Sequence, residues 1–317
     1  MHIGMGIVCG SKIKDMVKAG FQFIIFLADW HSWINNKLGG DMEKIRLCGE
    51  YFKECFTALG VKPDSVQYLW ASDIAKNREY WEKVIRIAKS VTLQRTWRAL
   101  PIMGREMSMT DVETAWAYYP CMQAADIFHM NLDVACAGMD QRKAHMLARD
   151  AAEKLDWKKP ACVHTHLLMG LQGPEKTERQ FDENVDVNLQ ISSKMSKSLP
   201  KNCIFIHDIP EDIRTKIRAA YCPPQQALGN PVLELAKYVV FAEKESLRVL
   251  RPSKYGGLES FESYEETEKA YVKGKLHPLD LKDGVAEALI EILNPVREHF
   301  RKHPQTLRKM MEIEITR

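Results

Sequence analysis

Lys194 and Lys197 stand three residues apart in the run Lys194-Met195-Ser196-Lys197-Ser198. Two ammonium groups so spaced suit a loop that closes on a polyphosphate. They offset charge building on an α-phosphate under attack and on a departing pyrophosphate, while serine hydroxyls and loop amides donate to the same oxygens. A solvated lysine loop has the same composition, so the run needs support from elsewhere in the chain. At the other end of this half, His2-Ile-Gly-Met5 places a histidine two residues before a glycine. At a helix start, a glycine such as Gly4 lets a nucleotide approach the backbone closely, and the helix N-terminus favours an anionic phosphate. Alone, this pair is a weak signal.

A second constellation is Tyr119-Pro-Cys-Met-Gln-Ala-Ala-Asp126-Ile127. Tyr119, Gln123 and Asp126 fall at i, i+4 and i+7, which predicts one face of a helix starting near Pro120. A phenol, an amide and a carboxylate then point into one cavity. Gly138-Met-Asp-Gln-Arg142 follows a predicted strand over 132–137, placing Gly138, Asp140 and Gln141 at a strand-to-helix turn. Taken singly, Tyr119 or Asp126 reads equally well as a core hydrogen-bonding residue or a helix cap.

The elements that must position these groups alternate in type. Residues 21–27 are rich in β-formers and continuously apolar, as in a strand covered on both faces. Asp41 caps a helix whose apolar positions Ile45, Cys48, Phe52, Cys55 and Leu59 recur at helical steps, with Gly60 at its end. Further strands are predicted over 66–70, 132–137 and 161–166, and helices over 78–90 and 141–155. Such alternation implies βαβ units around a parallel sheet, which binds ligands beyond the carboxyl ends of its strands. The expected fold class is therefore α/β: a Rossmann-type catalytic domain over 1–207, then a smaller, mostly helical domain over 208–317. Residues 172–193 are polar and without clear period, and read as a loop or insertion. Val285, Leu289, Ile290 and Leu293 mark an amphipathic helix that ends near Pro295.

Composition sets the outer bounds. The 317 residues are 45% hydrophobic and 27% charged, ordinary for a soluble globular protein. No stretch reaches the roughly 18 apolar residues of a membrane span, and the opening residues do not read as a signal peptide. Eight scattered cysteines, none in a Cys-x-x-Cys pair, argue against structural zinc and for a reducing cytoplasm. Net charge is only +3, with a local basic excess near the end at Arg297, Arg301, Lys302, Arg308, Lys309 and Arg317. That excess fits a polyanion or a solvated helix face equally well. Neither a membrane nor DNA is expected as a partner.

Together these strings resemble the class I aminoacyl-tRNA synthetases, and within them the tyrosyl-tRNA synthetases of the archaeal and eukaryotic type. The resemblance runs from His2 to about Phe300 and includes Ala28-Asp-Trp-His31, 119–127, 138–142, 194–198, Ala220-Tyr-Cys-Pro223 and Leu276-His-Pro-Leu-Asp-Leu281. It implies ATP bound by His2, Gly4, Gly138, Asp140, Met195, Ser196, Lys197 and Ser198, with Mg2+ on the phosphates and no structural metal. It implies L-tyrosine held through its ammonium group by Tyr119, Gln123 and Gln141, beside Ala28, with its phenolic proton accepted by Asp126. It also implies anticodon reading of tRNA(Tyr) by Tyr255, His277 and Asp280, and a homodimer joined near the Tyr119 helix and the helices before it. Met5 replaces the second histidine of the family's HIGH motif, which leaves the imidazole role to His2. Family members carry a further segment before this motif, with a strand whose tyrosine shares the substrate hydroxyl. The chain starts on the motif itself, and a truncated or mis-started form is expected.

The implied chemistry is adenylate formation followed by transfer of the tyrosyl group to a terminal ribose hydroxyl. A carboxylate nucleophile is already ionised, in keeping with the lack of any Ser-His-Asp pattern, so positioning and charge stabilisation by His2, Lys194 and Lys197 would dominate. A buried carboxylate facing the substrate hydroxyl is left unsatisfied when phenylalanine binds; tyrosyl enzymes are the known instance of such discrimination without editing. Two alternatives stay open: a tryptophanyl-tRNA synthetase, which Asp126 disfavours, and a non-catalytic tRNA-binding paralogue or truncated form. A dinucleotide dehydrogenase is disfavoured because no G-x-G-x-x-G turn follows the first strand.

Overall fold

A computed structural model describes residues 1–103, 112–174, 182, 184–197 and 199–313. Ser198, residues 175–181 and the side chain of Tyr255 lie outside the described residues. The fold is α/β with parallel strand pairs and a mostly helical C-terminal region. The chain forms two compact units that interleave in sequence: one from Met1–Phe21, Tyr51–Pro63 and His166–Arg308, the other chiefly from Gln22–Glu50 and Asp64–Thr165.

In the second unit, β1 (Phe23–Leu27) pairs in parallel with β2 (Val66–Trp70), from Phe23 opposite Val66 to Leu27 opposite Trp70. β3 (Val134–Gly138) pairs in parallel with β4 (Ala161–Thr165). Asp29, just past β1, ties the two carboxyl ends of its pair together: its Oδ1 accepts Trp30 N at 2.9 Å and Ser72 N, just past β2, at 2.9 Å. Helix Arg78–Ser90 starts where Asn77 Oδ1 accepts Glu79 N, and its buried residues Tyr80, Val84 and Ile87 repeat at helical spacing. They pack into a core with Met122, Ala124 and Ala125 of helix Thr114–His129 and with Ala144, Leu147, Ala148 and Ala151 of helix Arg142–Leu155. The run of alanines lets these helices approach closely, because a methyl group adds so little to the helix radius.

One expectation is corrected here. The Tyr119 helix begins at Thr114, not near Pro120, which lies inside it. Proline removes one helical donor, but burial of the apolar stretch from Trp116 to Ile127 outweighs that single loss.

In the first unit, Gly4–Cys9 forms a π-helical segment that runs into helix Gly10–Lys18. Asn230 Oδ1 caps helix Pro231–Leu235 by accepting Val232 N and Leu233 N. β5 (Leu247–Leu250) and β6 (Leu258–Phe261) form an antiparallel pair. That pair lies against helix Pro278–Ile292 at Gly284, where a Cβ would come within 2.8 Å of Val249 Cγ2. The polar tract is also corrected: Val185–Ser192 is a helix, started by Asn184, whose side chain accepts Asp186 N and Val187 N. A short capped helix needs no long hydrophobic period, so its sequence looks like a loop.

His145 is buried on helix Arg142–Leu155, and its Nδ1 lies 3.1 Å from Nε2 of His164 on β4. Burial first, then the His164 charge, pushes His145 down to about 4; burial also lowers His164. Burial disfavours the charged form of both rings in the folded chain, whereas the unfolded chain takes up protons from about pH 6.5 downward. Stability therefore falls as pH drops from about 6.5 towards about 4. Denaturant midpoints measured at several pH values are expected to fall less steeply in His145→Gln than in the parent; equal slopes would assign the acid sensitivity to other groups.

Candidate active site

Tyr119, Gln123 and Asp126 lie along the Thr114–His129 helix, as the spacing predicts. Gln123 Nε2 donates to Gln141 Oε1 at 3.1 Å, and Gln141 Nε2 donates to the Ile102 carbonyl at 3.2 Å. The direction of this relay is forced. A carbonyl only accepts, so Gln141 must present its nitrogen there and its oxygen to Gln123. Gln123 Oε1 is then left buried, with no hydrogen-bond partner among the described residues. It is an open acceptor suited to an ammonium group.

Asp126 is 4% exposed. Its Oδ1 accepts the Tyr80 hydroxyl at 3.0 Å, and its Oδ2 lies 3.0 Å from His31 Nε2. The His31 ring stands edge-on to Tyr119, with centroids 5.2 Å apart. Burial, then the charges of Asp126 and Asp140, pushes the Tyr119 phenol well above its ordinary range, so it remains a neutral donor. Ala28 ends the turn after β1, where its carbonyl accepts Ser32 N at 2.9 Å, and Gly138 closes β3 before the turn Met139–Gln141. These are strand-end positions, where α/β sheets place ligands.

Of the nucleotide candidates, Gly138 and Asp140 lie in the second unit, whereas His2, Gly4 and the lysine segment belong to the first. Gly4 opens the helical segment, and a Cβ there would come within 3.0 Å of His2 Cε1, so glycine is what lets the ring lie against the helix start. Burial first, then positive charges including those of Lys197 and Lys194, pushes His2 down to about 3. It is a neutral imidazole, and its Nδ1 is buried without a hydrogen-bond partner among the described residues. The lysine segment starts from a backbone strap. Met169 bridges Lys194 in antiparallel fashion, Gly170 N donates to Ser193 O at 2.8 Å, and Met195 N donates to Leu168 O at 2.7 Å. Met195 is buried, and the Lys197 ammonium lies 5.5 Å above the Phe52 ring.

Two residues that carry no motif or spacing signal hold that strap. Glu234 Oε2 accepts Met169 N at 2.9 Å, and Asn202 Oδ1 accepts Gln172 N at 2.7 Å. Gly170 permits the close approach, since a Cβ would fall 2.4 Å from Asn202 Nδ2. Tyr80 and Ile102 were equally invisible: one is an aromatic in a helix's first turn, the other acts through its backbone. Among the anticodon candidates, His277 Nδ1 accepts Leu279 N at 3.2 Å, capping the helix in which Asp280 occupies the first turn. Tyr255 closes the short turn Ser253–Tyr255. Removing the Glu234 carboxylate leaves the Met169 amide unpaired. In Glu234→Ala, amide exchange of peptides covering 168–172 and 193–197 is expected to quicken by at least about tenfold; unchanged exchange would mean that Glu234 does not anchor the strap.

Comparison with known proteins bears on which chemistry these groups serve. The model of the family "tRNA synthetases class I (W and Y)" matches residues 1–179 and 183–294. The tyrosine–tRNA ligase of Thermococcus kodakarensis is 48% identical over 336 aligned positions, covering 100% of this chain and 88% of that protein. That of Aeropyrum pernix is 48% identical, covering 99% and 85%. The crystal structure of the Pyrococcus horikoshii tyrosyl-tRNA synthetase complexed with L-tyrosine superposes with a TM-score of 0.89 at 43% identity, covering 99% of this chain and 88% of that one. A tryptophanyl-tRNA synthetase from Encephalitozoon cuniculi, at 19% identity and a TM-score of 0.64, shares the fold alone. With a match over most of its length and relatives near half identical from end to end, the chain belongs to the tryptophanyl and tyrosyl class I tRNA synthetases.

Proposed function

We propose that the chain is a tyrosine–tRNA ligase, which activates tyrosine with ATP and transfers it to tRNA(Tyr). The observation that carries the amino-acid choice is the buried Asp126 carboxylate, seven residues along one helix from Tyr119 and three from the open acceptor Gln123 Oε1. Tyrosine offers a phenolic donor and an ammonium group, matching a carboxylate and an amide oxygen. Tryptophan offers the same ammonium group but an indole N–H in place of the phenol, a weaker partner for a buried charge. The name shared by the relatives near half identity agrees with this choice.

In the first step an oxygen of the tyrosine carboxylate attacks the α-phosphorus, and the bond to the β-phosphate oxygen breaks with loss of pyrophosphate. No general base is required. Lys194 and Lys197 stabilise charge on the transferring and leaving groups. His2, neutral well below physiological pH, serves as a hydrogen-bonding group and not as a cation. Gly4, Gly138, Asp140, Met195 and Ser196 are assigned to nucleotide binding, Ala28 to the tyrosine pocket, and Ser198 by its place in the motif alone. Mg2+ is assigned to the nucleotide substrate, since it ordinarily binds through substrate phosphates. In the second step the terminal ribose hydroxyl of tRNA(Tyr) attacks the activated carbonyl and AMP leaves.

The helical region over 208–317 is proposed to read the anticodon, through Tyr255, His277 and Asp280. A homodimer is proposed to form over the helices around Tyr119, where Trp33, Ile85 and Tyr118 expose apolar surface. The cysteine usage favours a cytoplasmic setting.

Exchange of radioactive pyrophosphate into ATP tests the substrate. Tyrosine is expected to support exchange and tryptophan not; exchange with tryptophan alone overturns the assignment. Replacing Lys194 and Lys197 together by alanine is expected to slow adenylate formation by on the order of 100-fold or more. The tyrosine dissociation constant should barely move. Equal loss in rate and binding would deny these lysines a role confined to the transition state.

A further inference from the structure

We propose that Tyr80 is a positioning residue for amino-acid selection: by donating to Oδ1 of Asp126 it holds the carboxylate in the orientation that accepts the substrate phenol, and so sets discrimination against phenylalanine. The inference rests on the reading of Asp126 as the phenol acceptor.

A carboxylate on a short side chain has a broad, roughly two-fold terminal torsion, and a buried one turns towards whatever donors surround it. Among the described residues, two protein groups face the Asp126 oxygens from different elements. Tyr80, on helix Arg78–Ser90, reaches Oδ1 at 3.0 Å. His31, on helix Asp29–Ile34, lies 3.0 Å from Oδ2, yet among the described residues neither of its ring nitrogens makes an aligned hydrogen bond. The Tyr80 hydroxyl is thus the aligned donor that fixes the carboxylate plane. The aligned Tyr80 bond fills one of the roughly four acceptor positions of a carboxylate and His31 lies close to another oxygen, which leaves capacity for a donor from the substrate.

Tyr80 is itself held rigidly. It is 1% exposed, and its ring stands edge-on to Trp81, at 5.3 Å between centroids, and to His129, at 5.5 Å. His129 lies on the same helix as Asp126, one turn further on. Burial first, then the Asp126 charge, pushes the Tyr80 phenol far above its ordinary range. The proton therefore stays on Tyr80, and the bond always runs from phenol to carboxylate. A charge-assisted hydrogen bond of this kind is stronger than a neutral one.

Tyr80→Phe removes one oxygen and keeps the ring that fills the core. With tyrosine in the exchange assay, KM is expected to rise by roughly tenfold, the scale of one hydrogen bond to a charged group. At saturating tyrosine kcat should stay within about twofold, since the binding of the phenol is the same in ground and transition state. Phenylalanine has no donor to offer Asp126, so its kcat/KM should not change, and the selectivity ratio falls with the tyrosine term. A residue that only supported the fold would lower both substrates alike; equal losses, or an unmoved tyrosine KM, overturn the proposal. Asp126→Asn measured in parallel separates the two layers. If Asp126→Asn keeps discrimination, the reading of Asp126 fails and this proposal with it. If Asp126→Asn loses discrimination while Tyr80→Phe keeps it, only the role of Tyr80 fails. The double variant Tyr80→Phe/Asp126→Asn should be no less selective than Asp126→Asn alone, because Tyr80 acts through the carboxylate; additive losses would show that it acts by another route.

Discussion

A carboxylate withdrawn from water has to find donors in the protein, because an unpartnered buried charge costs several kcal/mol at least. Asp126 meets this demand with a donor from one other helix, the Tyr80 hydroxyl, while the His31 imidazole of a second lies 3.0 Å from its other oxygen. That requirement reaches well past the three side chains. Helix Arg78–Ser90 must pack on helix Thr114–His129 in the register that brings Tyr80 to Oδ1. Asp29 must join the ends of β1 and β2 so that the short helix carrying His31 leaves the strand at the right angle. The Ile102–Gln141–Gln123 relay obeys the same rule for neutral groups. Gln141 is engaged at both ends and Gln123 at one, so the Gln123 oxygen is the end a ligand can meet.

The first unit solves a different problem, that of keeping a positive neighbourhood usable. His2 sits among lysine charges and is buried, and both effects strip its proton. A neutral ring adds no repulsion to Lys194 and Lys197 before a phosphate arrives. The lysine segment leaves the fold from a strap fastened by backbone pairs and by the Glu234 and Asn202 side chains. Its base is therefore fixed, while the two lysines remain only partly covered.

Much of the framework was legible in the sequence. Strand 66–70 and helix 78–90 have the bounds that period and composition predict, and the remaining strands in the first 166 residues shift by two residues or fewer at either end. Reading failed where a local rule met a tertiary one. Pro120 suggested a helix start, yet buried apolar surface carries the helix back to Thr114. The polar stretch over 185–192 lacks an amphipathic period, yet one asparagine cap suffices for a short helix. The hairpin of β5 and β6, inside a region that reads as helical, pairs over only four residues on each strand, too few for alternation to stand out.

By itself the sequence determined which chemical groups the protein owns and on which element each rides, because local periodicity and turn chemistry depend on near neighbours. Through the lysine run and the Tyr119–Asp126 spacing it also pointed to the family. Only the tertiary structure decided which atoms face each other: Tyr80 against Asp126 across 46 positions, Gln141 against the Ile102 carbonyl across 39, Glu234 against the Met169 amide across 65. Such pairings link residues distant along the chain, some through backbone atoms that every residue shares. No spacing rule marks them; they are set when buried polar groups, cut off from water, settle on the packing that gives most of them a partner.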